Sequence, residues 1–199
     1  LERFAPGPRA HAENLLPFVH DLLDESATPL SGLDGIVFSR GPGSFTSLRI
    51  GIGVVQGLAW GADLPVVPVS SLRCVAQSAV GMGVTHAWVT MDARMNEVFS
   101  ACFAVTDGVM HAVNEESVCA PQSAIPDESV LWSAVGNGIG RFEKLGRVPV
   151  KDRWPDLIAR AAHLVPLALS DWAQGLALPA EQAQPVYLRN QVADKPKPN

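Results

Sequence analysis

A chain of 199 residues, 47% of them apolar and 18% charged, is long enough to bury a sizeable core in one domain or two small ones. Its formal net charge of -5 argues against a basic nucleic-acid-binding surface of its own, and no apolar run reaches the length of a membrane span. Cys74, Cys102 and Cys119 are odd in number and far apart, which suits neither a disulfide framework nor a zinc site and predicts buried, reduced thiols.

No signal-peptide pattern opens the chain, so a cytoplasmic protein is expected; Leu1 stands where an initiator Met would, which predicts further residues upstream. Leu1 to Phe4 reads as the tail of a strand, broken by Ala5-Pro6-Gly7-Pro8. From Arg9 to about Glu25, Leu15, Leu16, Phe18, Val19, Leu22 and Leu23 follow helical spacing, opposite a face of Glu13, His20, Asp21, Asp24 and Glu25. Pro17 predicts a kink or a restart in this helix. His11 and His20, nine residues apart, do not share a face and read as ordinary histidines.

A Pro, Ser and Gly-rich loop from Thr28 to Asp34 leads to a buried strand from Ile36 to Ser39. The turn Arg40-Gly41-Pro42-Gly43-Ser44 then offers glycines for positive φ and a serine that can cap a helix. A second apolar strand, Val66 to Val69, completes a β-turn-α-β unit. Within the helix Gly53, Gly57 and Gly61 fall on one face, with Ile50, Val54 and Leu58 beside it. Each interior glycine costs about 1 kcal/mol relative to alanine, so the row implies a close approach. Spacing alone favours the chain's own sheet as the approaching surface; the other reading is a second protein's helix.

Ser70 or Ser71 can cap a further helix to about Ala79, with Leu72, Val75, Ala76 and Ala79 inward. Gly81-Met82-Gly83 marks the expected boundary between an N-terminal lobe (1–81) and a C-terminal lobe (82–199). Beyond it, strands at His86 to Thr90 and Glu97 to Val105 flank a turn from Met91 to Asn96, and Asp107-Gly108 turns into Val109 to Val113, an antiparallel meander. Val118 to Glu128 reads as irregular, Val130 to Val135 as a strand, and Gly136-Asn137-Gly138 as a turn or a point of backbone approach. Pro155 to Gly175 predicts a helix bent at Pro166, Gln184 to Arg189 a docked extended segment, and Asp194 to Asn199 a polar tail.

Little catalytic chemistry stands out. Gly41, Gly43 and Ser44 at a helix start form an anion-binding turn on paper, with Arg49 one turn in, but no Lys-Ser or Lys-Thr completes a phosphate loop and Thr46 replaces the third glycine of a dinucleotide fingerprint. A structural turn is the simpler reading. Ser44, Thr46, Ser70 and Ser71 lack a nucleophile elbow and read as caps. Asp92 and Glu97 can be drawn as an acid and base, yet Asp92, Arg94 and Glu97 on one hairpin equally make an ion-paired structural turn. No His-Glu-x-x-His or paired-cysteine metal pattern occurs.

The run Ser39 to Leu72, with GPGSFTSLRIG at its core, resembles the bacterial TsaB (formerly YeaZ) family of tRNA threonylcarbamoyladenosine biosynthesis, and MDARMNEVF (Met91 to Phe99) and PVYLR (Pro185 to Arg189) match that family in order and spacing. Two departures are Ser47, where the family usually has Gly, and the absence of the family's opening β-hairpin. The resemblance covers essentially the whole chain. It implies an α/β fold of two lobes, of the actin, sugar-kinase and heat-shock ATPase type with an RNase H-like core, and kinship with the catalytic partner TsaD. Where TsaD carries a His-His-Met-Glu-Gly-His motif, this chain reads Ser70-Ser71-Leu72-Arg73-Cys74-Val75, which sets Ser71 and Val75 at the metal-ligand positions. Side chains around Asp92 to Asn96 likewise replace a Ser-Gly-Gly-His-Thr phosphate loop.

The resemblance therefore implies a non-catalytic scaffold without cofactor or metal, which dimerises with TsaD, recruits the ATPase TsaE and reaches tRNA through that complex; the helix surface that would meet TsaD could equally close a homodimer when that partner is absent. The expected partner surface is Leu15, Phe18 and Leu22 on the first helix and Gly53, Gly57 and Gly61 on the second. The rival reading is a stand-alone enzyme, either a glycoprotease-like metallopeptidase or a phosphotransferase.

Overall fold

The computed structural model describes residues 1–5, 10–145 and 149–189. The expected turn at Ala5-Pro6-Gly7-Pro8, apart from Ala5, and the polar tail from Asp194 to Asn199 lie outside these residues. Helix α1 (Ala10–Glu25) runs through Pro17 without a break and packs on the next helix. Its apolar stripe is only half-buried at Leu15, Phe18, Val19, Leu22 and Leu23, and Leu16 is 55% exposed.

The β-turn-α-β unit forms as its pattern predicts. Strand β1 (Ile36–Gly41) pairs in parallel with β2 (Val66–Ser70), Ile36 opposite Val66 and Ser39 opposite Val69. Helix α2 (Phe45–Ala62) crosses between them, starting at the Ser44 cap and ending at Asp63, which takes the left-handed conformation with φ 53°. Ile52 and Ala59 turn into the core, with Val55 and Ala62 beside them, against Phe38, Leu64 and Val66. The stripe containing Ile50, Val54 and Leu58 is only half-buried. The helix is apolar nearly all round, so periodicity alone does not single out its inner face.

Helix α3 (Ser71–Ser78) follows directly, its N-terminus capped by Ser70 Oγ, which accepts from the Arg73 N–H at 3.2 Å. Leu72, Val75, Ala76 and Ala79 pack against the second sheet, with Ala87, Val89, Ala101, Phe103 and Met110.

That sheet comprises β3 (His86–Arg94), β4 (Glu97–Thr106), β5 (Val109–Ala112), β6 (Ser117–Cys119), β7 (Ser133–Val135) and β8 (Arg153–Trp154) in the order β5-β4-β3-β7-β8, with β6 also on β4. The sequence pattern is corrected in two places. The hairpin strands extend through Met91 to Arg94, so the tight turn is shorter than expected. Residues 117–119, expected to be irregular in part, pair with Val98 to Ser100. The β3-β4-β5 meander forms as expected, and the 130s strand, whose direction period 2 does not give, joins it parallel to β3 and makes the sheet mixed.

Helix α4 (Ala161–Ala173) starts later than Pro155 because Trp154 is drawn into β8, its carbonyl accepting from Gly136 N–H at 2.9 Å. Pro166 lies within it without breaking it. The helix packs back on β1, β2 and α3, with Leu167 fully buried beside Val67, Val69 and Cys74, so the 82–199 stretch is not self-contained.

One buried ion pair fastens these layers. Arg73 Nη1 donates to both Asp171 carboxylate oxygens at 2.8 Å, and Arg73 Nε donates to the Met110 carbonyl at 2.7 Å, joining α3, α4 and β5. The side chains are 14% and 9% exposed. Removing one partner of such a pair leaves a buried charge, so Arg73→Met is expected to destabilise by about 3 kcal/mol or more. Chemical denaturation of the variant checks this, and the double variant Arg73→Met with Asp171→Leu should recover part of the loss.

Candidate functional site

The loop from β1 to α2, the tip of the β3–β4 hairpin, Asn137 and residues 186–189 surround a cavity of about 460 Å³. Gly41 has φ +102°, and a Cβ there would stand 3.0 Å from both Leu48 Cδ1 and the Val186 carbonyl oxygen, so the turn requires glycine. Gly43 and Ser44 line the cavity directly. Ser44 Oγ accepts from the Ser47 N–H at 3.5 Å and from Ser47 Oγ at 3.1 Å, so Ser47 is accommodated as a partner of the cap.

On the facing wall, Arg94, Met95 and Asn96 all have positive φ, at 62°, 51° and 58°. Asp92 supports this tip: its Oδ1 accepts from the Arg94 N–H at 2.9 Å, and its own N–H donates to Asn137 Oδ1 at 3.0 Å. Asn137 is placed by the close approach of its flanking glycines to β3, since a Cβ on Gly136 would stand 2.5 Å from the Thr90 carbonyl oxygen.

The ion pairs here reach beyond the one within the hairpin, Asp92 with Arg94. Arg141 Nη2 donates to both Asp92 oxygens at 3.0 and 2.9 Å, and Glu97 pairs with Arg189. Arg94 is 85% exposed, with Nη1 3.8 Å from Asp92. Burial raises the Asp92 pKa, but the Arg141 hydrogen bonds, the Arg94 N–H and the charges of both arginines outweigh it and hold the carboxyl below its ordinary value. An ionised carboxylate bound in this way is a poor general acid.

Arg189 lies in a stretch the sequence reading picked out. Arg141 and Asn137 carry no signal of their role, because their partners are 49 and 45 residues away in the chain.

Ser71 and Val75, which the resemblance sets at metal-ligand positions, are both packed into the fold. Ser71 Oγ lies 2.6 Å from Ser39 Oγ, and Val75 is 2% exposed within the core. Among the described residues, no group of three or more His, Cys, Asp or Glu is arranged to hold a metal ion. Burial pushes the Cys74 thiol up to about 11 and Cys102 up to about 12, so both are protonated at neutral pH.

A second surface lies apart from the cavity. Among the described residues, a Cβ at Gly53, Gly57 or Gly61 would meet nothing within 4 Å, and all three glycines are exposed. Packing of this row against the chain's own sheet is thereby overturned; the buried stripe of α2 faces another way. Trp60, 70% exposed, stands beside the row.

With the fold and both surfaces placed, comparison with known proteins is decisive. A tRNA threonylcarbamoyladenosine biosynthesis protein TsaB from Escherichia coli is 39% identical over 96% of this chain and 86% of its own length. The chain belongs to the TsaB family. The Haemophilus influenzae protein of the same name is 34% identical over 96% of this chain and 84% of its own. The family model described as TsaD: tRNA N6-adenosine threonylcarbamoyltransferase matches residues 7–147. The solved structure of YeaZ from Pseudomonas aeruginosa superposes with a TM-score of 0.88 at 42% identity, covering 94% of this chain and 88% of that one. The fold is therefore the actin-like ATPase, RNase H-like fold of YeaZ. No helix among the described residues is long and apolar enough to cross a membrane.

The Asp92 geometry has a pH signature. Its folded pKa lies below the unfolded one, so its contribution to stability is fully present above the unfolded carboxyl value of about 3.9 and is lost as pH falls through the lower folded value. Arg141→Ala should therefore lower the melting temperature at pH 7 by an amount that shrinks as pH drops below about 4, as thermal melts across that range would show. In thiol labelling of the native chain at neutral pH, half-buried Cys119 should react well before Cys74 and Cys102.

Proposed function

We propose that this chain is a non-catalytic scaffold in the formation of N6-threonylcarbamoyladenosine next to the anticodon of tRNAs. In this reading it pairs with TsaD, helps recruit the ATPase TsaE, contacts tRNA only through that complex, and self-associates when alone. The family membership supports the pathway. The observation that carries the scaffold role is the open face of α2, where Gly53, Gly57 and Gly61 present bare backbone to solvent beside the half-buried stripe of α1.

Two helices of this kind set against the corresponding pair of a homologous partner would make a four-helix contact. Leu15, Phe18 and Leu22 supply apolar anchors from α1, and the glycine row lets a partner's backbone approach α2. A stable interface of ordinary size buries on the order of 1,600 Å², which two helices of 16 and 18 residues can supply. The serine and valine at Ser71 and Val75 support the absence of metallopeptidase chemistry in this subunit, since neither offers a ligand set for a metal.

The test is Gly57→Leu. Its side chain meets open space in the isolated chain, so the melting temperature should hold or rise slightly, by virtue of better helix propensity. Binding to TsaD should fall at least about tenfold, because the added side chain keeps the helices apart. Unchanged TsaD affinity with a folded variant would remove the glycine row from the interface.

A further inference from the structure

The two walls of the cavity are held by different parts of the chain. Among the described residues, no hydrogen bond joins 42–49 directly to 91–99. Deeper in the molecule the sheets are joined through α3 and by Arg40, whose Nη2 lies 3.4 Å from Glu116 Oε1. At the mouth, the connection runs through the short segment 183–189.

We propose that residues 183–189 act as a strap that fixes the opening of this cleft. The first part of the segment is fastened to the β1–α2 unit. The Ala183 carbonyl accepts from Gln56 Nε2 at 2.9 Å, and Val186 N–H donates to the Arg40 carbonyl at 2.8 Å. Tyr187 packs its ring 5.2 Å from that of Phe45, and its hydroxyl accepts from Arg49 Nε at 2.9 Å. Two residues later the chain is fastened to the other wall: Arg189 pairs with Glu97 and donates to the Ala93 carbonyl at 3.1 Å.

The seat of the strap is built into the turn, because the space a Gly41 side chain would fill is taken by the Val186 carbonyl at 3.0 Å. An extended segment fastened at both ends to separate walls resists their separation, and each fastening is stronger for the presence of the other. With the strap seated the cleft presents a fixed surface; with it released the hairpin tip and the α2 N-terminus are free to move apart. This inference concerns the chain alone and stands whether or not the scaffold reading holds.

Hydrogen exchange of the full chain tests it, with Tyr187→Ala and Arg189→Ala compared against the unaltered protein. A strap predicts that each variant exchanges faster, by roughly tenfold, in both 42–49 and 91–97, including the wall the altered residue does not bind, while α3 is unchanged. Faster exchange confined to the wall that the altered residue touches would overturn the proposal. Where either variant loosens the whole molecule, Tyr187→Phe and Arg189→Gln replace them. Coupling between these two in a double-mutant cycle of denaturation midpoints supports the strap, and strict additivity overturns it.

Discussion

The burial of α3 between the two sheets is the constraint around which the molecule is arranged. Seven of its eight residues are buried, so a helix of barely two turns has almost no water with which to satisfy its polar groups. Each is met by protein instead. Ser70 caps the first turn, Ser71 meets Ser39 of β1, and Ser78 Oγ donates to the Val75 carbonyl at 2.6 Å. The Gln77 amide donates to the Gly108 carbonyl and accepts from Met110 N–H, both at 2.9 Å, and so extends the edge of β5. Arg73 binds Asp171 and the Met110 carbonyl. A buried polar group left unpaired costs about 1–3 kcal/mol, so these bonds select one placement of α3 and, through it, one placement of both sheets and of α4.

The cleft inherits its shape from that placement. One wall hangs from the end of β1, which α3 ties through Ser39 and Ser71; the other hangs from β3, whose central residues Ala87 and Val89 pack on the same helix. What lines the opening is mostly committed already. Asp92 is bound by Arg141 and two backbone contacts, Glu97 by Arg189, and the Ser44 hydroxyl by the first turn of α2. Arg94 stands out as a cation reaching into water, on a tip whose three consecutive left-handed residues depend on Asp92 and the hairpin for support.

Local chemistry was legible in the sequence and long-range placement was not. The Ser44 cap, a cap at Ser70 or Ser71, the β-turn-α-β unit and the turn at Asp107-Gly108 follow from residue types and short spacings, and the structure bears them out, with Ser70 as the second cap. Strand β8, two residues long, and β6, three, are too short to show a period. Helix α4 begins at Ala161 rather than at Pro155, and Trp154, just before the expected start, is paired with Val135 in a strand too short to show in the pattern. At the cleft, Asp92, Arg94 and Glu97 looked like mutual partners because they are neighbours in sequence; their stronger partners, Arg141 and Arg189, are brought in by the fold from 49 and 92 residues away. The face of α2 was open to misreading for another reason. A helix apolar all round gives glycines on one side no contrast with the leucines and valines on the other.

That exposed row is the feature the single chain explains least. Each interior glycine gives up about 1 kcal/mol of helix propensity relative to alanine, so three of them remove about 3 kcal/mol from α2. Among the described residues nothing offsets this loss by a close contact, since none of their atoms beyond the helix's own backbone lies within 4 Å of where any of the three Cβ atoms would stand. The helix is held by other means: its caps at both ends, the Ile52, Val55, Ala59 and Ala62 stripe in the core, and Gln56 bonded to the Ala183 carbonyl. Alanine at the three positions would leave all of these intact and make the isolated chain more stable. A row that costs the monomer stability and relieves no contact among the described residues fits the scaffold role proposed above, in which a second surface would bring its backbone too close to α2 for a methyl group to fit. Trp60, exposed beside the row, adds apolar area that the same contact would remove from water.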